Sequence, residues 1–212
     1  MDKIHNKKLK KSSKLWISRQ NNDFYVKEAK ARGYRSRSAF KLIEINKKFK
    51  FLKNNLNIVD LGSAPGGWSQ VCSEVNKNGK TLSIDILDMD KIDNVSFHKK
   101  NFNDTNFFDF VNNFFENNKV DLVLSDMAVN TTGNKDLDAM KTNSIALDVV
   151  NLSRVILKPK SSLLVKIFSG KDENILIKNA KDSFKIIERI KPDSSRKESR
   201  EMYLLCSDLK TI

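Results

Sequence analysis

The sequence predicts an α/β domain built on a mostly parallel, seven-stranded sheet with helices on both faces. Three observations carry that expectation. Seven short, β-rich apolar runs recur along the chain, and segments of helical spacing separate most of them, as βαβ units require. Ser162 to Phe168 is a nearly continuous apolar run, the pattern of a strand covered on both sides. The chain has 212 residues, 39% of them hydrophobic and 13 of them Phe, enough to bury one core without disulfides or metal.

In chain order, residues 1–20 read as a flexible basic arm, followed by a single domain over 21–212 whose opening segment, 21–53, is basic and helical. Around Ser36–Phe49, apolar Phe40, Ile43 and Phe49 alternate with Lys41, Lys47 and Lys48. That suits an amphipathic helix with Ser36 or Ser38 as its cap. Asn57 to Gly62 is a β-rich run ending in a Gly/Pro turn, with a helix from Ser69 to Val75 behind it. Thr81 to Asp85 and Val95 to His98 are the next two strands. Phe107, Phe108, Val111, Phe114 and Phe115 fall on one helical face, which reads as core. Val120 to Ser125 is a strand and Ser144 to Leu157 a helix. After the 162–168 strand comes a helix over 172–182, and Phe184 to Ile190 and Met202 to Cys206 close the sheet. Sheets of this kind bind ligands at the carboxyl ends of their strands, near the point where strand order reverses.

The net charge of +13 is unevenly placed. Residues 1–53 hold 17 Lys and Arg against 4 Asp and Glu, and the remainder carries 22 of each sign. A basic segment on a neutral body is the footprint of a polyanion binder, and nucleic acid is favoured because phosphate contact draws on many cations. Trp16, Tyr25, Tyr34 and Phe40 interleave with the cations and are candidates for stacking on bases. No apolar run of about 18 residues exists, so no membrane span is expected, and the charged N-terminus argues against a secretory signal. Cys72 and Cys206 match no zinc spacing and read as reduced intracellular thiols. With His5 and His98 as the only histidines, neither a Ser-His-Asp hydrolase nor a His-rich metal centre is favoured. No metal is expected, and a cytoplasmic location is.

The most specific stretch is Asp60-Leu61-Gly62-Ser63-Ala64-Pro65-Gly66-Gly67-Trp68, between a strand and a helix. Gly62 and Gly66 let backbone approach a ligand closely. Asp85 ends the next strand, where a carboxylate accepts bonds from both hydroxyls of a ribose. The loop is not G-x-G-x-x-G and has no phosphate-binding lysine, so it offers no pyrophosphate cradle. It suits an adenosine carrying an amino acid, S-adenosylmethionine. The bland alternative is an ordinary strand-to-helix turn capped by Asp60.

Asp60 to Trp68, followed by Ser69-Gln70, resembles the donor-binding loop of the FtsJ/RrmJ ribosomal RNA ribose 2′-O-methyltransferases. Tyr34 to Leu42 is similar to that family's R-S-R-x-x-x-K-L segment, and Ser125-Asp126-Met127-Ala128 to its S-D-M-A. Val165 to Gly170 is similar to V-K-x-F-x-G, and Lys191 to Tyr203 to K-P-x-S-S-R followed by S-x-E-x-Y. These motifs stand in the family's order from about residue 15 to 208. The resemblance implies a Rossmann-like class I methyltransferase fold, S-adenosylmethionine as cofactor and a monomer. The cofactor set is then Asp60, Gly62, Ser63, Pro65, Gly66, Gly67, Trp68, Asp85 and Asp126, with Asn101 standing where the family usually has Asp to meet the adenine amino group and Asp104 as a fallback. The chain also departs at Val129, where many members have Pro.

A ribose 2′-hydroxyl is a very weak acid, and methyl transfer from a sulfonium is an in-line displacement. Alignment and a positioned base are therefore both needed. No histidine is placed for that role, but a lysine serves where burial or nearby positive charge favours its neutral form. Lys166 lies inside Leu163 to Phe168, a place where an amine is expensive unless it ends at a site. The family's Lys-Asp-Lys-Glu tetrad falls on Lys41, Asp126, Lys166 and Glu201. The resemblance gives Lys166 as proton acceptor, Asp126 as its orienting partner, and Lys41 and Glu201 as positioning groups. Taken singly, Lys41 reads equally as a cation on a basic helix, Asp126 as a turn residue, Lys166 as a snorkelling strand-end lysine and Glu201 as a surface partner of Arg196 or Arg200. Arg32, Arg35, Arg37 and Arg196 are expected to contact RNA phosphates. The resemblance implies a uridine in the A loop of the large-subunit ribosomal RNA as substrate, with the large ribosomal subunit as partner. A transfer-RNA ribose methyltransferase and a non-catalytic ribosome assembly factor are the alternatives; a nicotinamide oxidoreductase would need the missing G-x-G-x-x-G.

Overall fold

The computed structural model describes residues 23–211. The expected basic arm over 1–20, with His5 and Trp16, lies outside the described residues, as do 21, 22 and 212. The elements run α1 (Phe24–Ala31), α2 (Ser38–Phe49), β1 (Asn57–Leu61), α3 (Gly67–Val75), β2 (Lys80–Asp85), β3 (Val95–Lys99), α4 (Phe107–Phe114), β4 (Val120–Ser125), α5 (Lys135–Ile156), β5 (Leu157–Phe168), α6 (Glu173–Ser183), β6 (Phe184–Ile190) and β7 (Glu201–Leu209). The seven strands form one sheet in the order β3-β2-β1-β4-β5-β7-β6. The pairs β1/β2, β2/β3, β1/β4 and β4/β5 are parallel, and β7 lies antiparallel to both neighbours. The α/β architecture expected from the sequence is present. Strand order reverses between β1 and β4, which marks the ligand-binding edge.

Strand pleating sends alternate residues to opposite faces, and the two cores follow that rule. Val59, Leu61, Val123, Leu163, Val165 and Leu204 pack with Phe107, Val111, Val149, Val150 and Leu176 on the face covered by α4, α5 and α6. Ile58, Leu122, Leu124, Leu164, Tyr203 and Leu205 pack with Ala39, Leu42, Ile45, Trp68 and Val71 on the face covered by α2 and α3. Cys72 and Cys206 are buried free thiols in different cores. No described helix is long and apolar enough to cross a membrane.

Several sequence expectations are corrected. Neither serine caps α2. Arg37 holds the cap position with no side-chain capping bond, and the hydroxyls of Ser36 and Ser38 bond to each other at 2.6 Å. Helix α3 begins at Gly67 rather than Ser69. Helix α5 begins at Lys135, nine residues before the apolar period becomes visible, because polar side chains serve its first turns. Asn134 accepts bonds from the Asp136 and Leu137 amides. Asn143 bonds both the carbonyl and the amide of Phe168, each at 2.9 Å. Strand β5 starts at Leu157 through a polar stretch whose register shifts against β4. Phe40 is buried and packs edge-on to Tyr34 and tilted to Tyr25, so it belongs to the α2 packing rather than to a base-stacking surface.

The sequence puts Phe107 and Phe108 on one face, but the structure leaves Phe107 1% exposed and Phe108 40% exposed. Phe107→Ala is therefore expected to lower unfolding free energy by about 3–5 kcal/mol, and Phe108→Ala by well under that, in paired urea titrations.

Candidate active site

A cleft of about 580 Å³ opens at the carboxyl ends of β1, β2 and β4, a volume suited to a small organic ligand. Its walls come from Gly62 and Ala64 after β1, Asp85 to Leu87 after β2, Lys100 to Asn103 after β3, and Asp126 to Asn130 after β4. The Gly62 backbone is left-handed, at φ 71°, and a Cβ there would fall 2.1 Å from Met127 Cγ. Only glycine fits that position. The Gly62 and Ser63 amides bond the Ile84 carbonyl at 2.9 and 3.1 Å. The Asp85 carboxylate accepts the Ala64 amide on one oxygen and the Leu87 amide on the other, both at 2.8 Å. This fixes the carboxylate on the cleft wall while each oxygen keeps acceptor capacity. Ser63 Oγ, in the same turn, is buried and has no hydrogen-bond partner among the described residues.

Of the residues expected to hold a cofactor, Gly62, Asp85, Asn101 and Asp126 line the cleft; Asp60, Ser63, Pro65, Gly66, Gly67 and Trp68 do not. Asp60 is buried, and its carboxylate accepts the Ser69 hydroxyl at 2.6 Å, which also contacts Ser83 Oγ at 2.8 Å. Trp68 donates its indole N–H to the Ser38 carbonyl and packs against Tyr203. These residues shape the turn from behind. Asn101 Oδ1 accepts the Asn103 amide at 3.0 Å; Asp104 is not on the wall. The Val129 amide faces Thr142 Oγ1 at 3.5 Å, a contact that Pro, lacking the N–H, cannot make.

Beside the cleft the four tetrad side chains converge. Lys166 Nζ lies 2.7 Å from Asp126 Oδ1 and 3.5 Å from Glu201 Oε2, and it donates to the Asp126 carbonyl at 2.8 Å. Lys41 Nζ, from α2, donates to the same Glu201 oxygen at 2.7 Å. Register explains the meeting. Lys166 pairs with Tyr203 and Phe168 with Glu201 across β5 and β7, so Lys166, Tyr203 and Glu201 share a face. Asp126 continues the parity of Leu122 and Leu124 on β4, which is the face that α2 covers. Two groups of this network went unassigned in the sequence reading, although both stand within quoted motifs. Tyr203 donates its phenol to Asp126 Oδ1 at 2.6 Å, and Ser195 donates to Glu201 Oε1 at 2.8 Å. Only position in space separates them from their neighbours in those motifs.

Electrostatically the cluster is a closed pair of pairs. Burial alone would push Lys166 down, but the Asp126 and Glu201 carboxylates outweigh it and hold the ammonium above its ordinary value. Burial likewise opposes ionisation of Asp126 and Glu201, yet the two lysines keep both below the usual carboxylate range. Asp60 has no cation. Burial raises it to about 7, with the charges of Asp126 and Asp85 adding to the rise and the Ser69 bond opposing it.

The four arginines expected on RNA already have protein partners. Arg32 pairs with Glu28 one turn away. Arg37 bonds the Asp23 carboxylate and the Ser194 carbonyl. Arg196 reaches Asp23 at 3.3 Å. Arg35 spans three backbone carbonyls, those of Pro65, Asp90 and Lys91. Arg200, once a candidate partner of Glu201, bonds Asp136 instead.

The family model described as FtsJ-like methyltransferase matches residues 34–209. The chain is 43% identical over 198 residues to the ribosomal RNA large subunit methyltransferase E of Pelagibacter ubique, covering 93% of this chain and 97% of the relative. It is 42% identical to the protein of that name from Pseudomonas fluorescens, over 92% of this chain and 94% of the relative. Among solved structures it resembles a Plasmodium falciparum protein provisionally assigned as a ribosomal RNA methyltransferase, with a TM-score of 0.75 and 34% identity. That match covers 83% of this chain and 98% of the other.

Because the folded pKa of Asp60, about 7, lies above its unfolded value of 3.8, folding takes up a proton in that range and stability falls as pH rises through it. Asp60→Asn mimics the protonated acid. Its gain in melting temperature over the unaltered protein is expected to grow from pH 4 to pH 7 and level off above; a pH-independent difference would show that Asp60 does not titrate there.

Proposed function

This chain belongs to the FtsJ-like methyltransferase family, and from that premise we propose that it transfers a methyl group from S-adenosylmethionine to the 2′-hydroxyl of an RNA ribose. The substrate is a uridine in the A loop of large-subunit ribosomal RNA. The names of its relatives support ribosomal RNA of the large subunit as the substrate class. The observation that carries the chemistry is the double membership of Asp126, which lines the cleft and also pairs with Lys166 at 2.7 Å. Ligand cleft and buried amine are thereby one site.

The cleft's donor set fits S-adenosylmethionine. Asp85 has acceptor capacity for a ribose diol, Asn101 carries an amide for a purine edge, and Ile84 and Ile86 supply apolar wall. When bound, the donor supplies an electrophilic methyl carbon on a cationic sulfur. Lys166 Nζ is the acceptor for the 2′-hydroxyl proton. It reaches that role by first shedding a proton, and the arrangement favours this once the site fills. The resting tetrad holds two cations against two anions, so a further positive charge beside Asp126 competes for the carboxylate that stabilises the Lys166 ammonium. Lys41 and Glu201 hold the ribose side of the site and keep Lys166 aimed. Tyr203 fixes the Asp126 carboxylate by its 2.6 Å bond.

Incubation with labelled S-adenosylmethionine and large subunits from a methylation-deficient strain should place label on a ribose 2′-oxygen; label on a base or on protein would sink the reading. Lys166→Ala should lower turnover by about 10²–10⁴-fold with S-adenosylmethionine binding by calorimetry largely kept. Because the Lys166 ammonium is held above its ordinary value, the neutral amine grows with pH. At low concentrations of both substrates, where the rate reports the unfilled site, kcat/KM is therefore expected to rise about tenfold per pH unit from neutrality upward, and a flat profile would remove Lys166 as base.

A further inference from the structure

The segment Gly33–Arg37 leads from α1 into α2, and it carries Arg35 and Arg37, two of the four arginines expected on RNA. Its neighbours are on the protein. The Arg35 amide donates to Gln70 Oε1 at 2.8 Å, and Gln70 Nε2 returns a bond to the Gly33 carbonyl at 2.9 Å. Tyr34 donates its phenol to Glu74 at 2.7 Å, and Trp68 bonds the Ser38 carbonyl. The segment is therefore laced along α3, the helix that the glycine turn opens into.

The Arg35 head group extends this lacing to the turn itself. Nη1 donates to the Pro65 carbonyl at 3.2 Å and to the Asp90 carbonyl at 2.7 Å, and Nη2 donates to the Lys91 carbonyl at 2.8 Å. Pro65 belongs to the turn after β1. Asp90 and Lys91 belong to the loop after β2, which begins with the cleft-lining residues Asp85, Ile86 and Leu87. One planar fork thus ties together two of the four loops that wall the cleft. The turn is built around that fork. Gly66 has φ 113°, and a Cβ there would fall 2.9 Å from Arg35 Nη1 and 2.8 Å from Ile92 Cδ1. Lysine has no equivalent geometry, because a point ammonium cannot span carbonyls on two loops as a guanidinium does. Among the described residues no carboxylate pairs with Arg35 within ion-pair distance.

We infer that Arg35 is a positioning residue for the methyl donor: it holds the glycine turn and the β2–β3 loop in the spacing that S-adenosylmethionine requires, and it is not an RNA phosphate contact. The same segment runs directly into α2, which carries Lys41, so Arg35 also sets the donor turn relative to the tetrad. The inference rests on the reading of the cleft as the S-adenosylmethionine site.

The test titrates S-adenosylmethionine calorimetrically into the full chain and its Arg35→Ala and Arg35→Lys variants, and measures ribosomal RNA capture across a salt series on the same proteins. Arg35→Ala is expected to raise the dissociation constant for S-adenosylmethionine by about tenfold or more through lost preorganisation. Arg35→Lys should recover only part of that, and added methylguanidinium should partly rescue the alanine variant. The slope of RNA affinity against salt should stay unchanged, and at saturating donor the turnover number should move far less than KM. Unchanged donor affinity in the two variants, with a salt slope smaller by about one, would instead make Arg35 a phosphate contact and overturn the inference. If the alanine variant does not fold, the lysine variant decides by the same two readouts. If the unaltered protein binds no S-adenosylmethionine, the reading of the cleft fails and takes this inference with it, an outcome distinct from binding that is indifferent to Arg35.

Discussion

Lys166 sits near the carboxyl end of β5 among Leu163, Leu164, Val165 and Ile167, all fully buried or nearly so. An ammonium there is tolerable only if carboxylates meet it. Asp126 and Glu201 do so from two neighbouring strands, and Lys41 completes the exchange from a helix. Because each partner comes from a different element, the pair of ion pairs holds β4, β5, β7 and α2 at one spacing. The cleft wall at Asp126, the aim of the Lys166 amine and the docking of α2 all depend on that charge being met.

The buried site is maintained by groups outside the tetrad. Tyr203 fixes one oxygen of Asp126, Ser195 one oxygen of Glu201, and Trp68 packs on Tyr203 while bonding the start of α2. On the cleft side, two backbone amides orient Asp85, and Met127 fills the space that a side chain at position 62 would need. The bonds that end on these carboxylates are charge-assisted and stronger than neutral ones. Around a charged cluster they remove the alternative rotamers that would leave a charge unpaired.

The central strands were legible because β1, β4 and the 162–168 part of β5 are short apolar runs, whereas the polar start of β5 was not. Lys41, Asp126, Lys166 and Glu201 were legible as a set, through motifs standing in a known order. The first turns of α5 were not, since Asp138, Thr142 and Asn143 are buried for their hydrogen bonds rather than their hydrophobicity. Phe108 carried the same periodic signal as Phe107 and still faces outward, because a helix of eight residues has one buried stripe and Phe107 and Val111 take it. Arg35 and Arg37 looked like neighbours in one basic tract. In space one faces backbone carbonyls and the other a carboxylate.

Pattern along the chain therefore determined the α/β layering, the Gly62–Gly67 turn and the identity of the four tetrad side chains, because these depend on spacing and residue type, which a linear string records. Tertiary structure alone decided which partners the basic side chains meet and how the buried charges pair. Both depend on distances between residues far apart in sequence: 160 positions separate Lys41 from Glu201, and 40 separate Lys166 from Asp126. Lys166 reads as a costly amine in an apolar strand until two carboxylates arrive beside it, and Arg35 as one more cation of a basic tract until three backbone carbonyls are found around it. In each case the deciding partner is brought in by the fold.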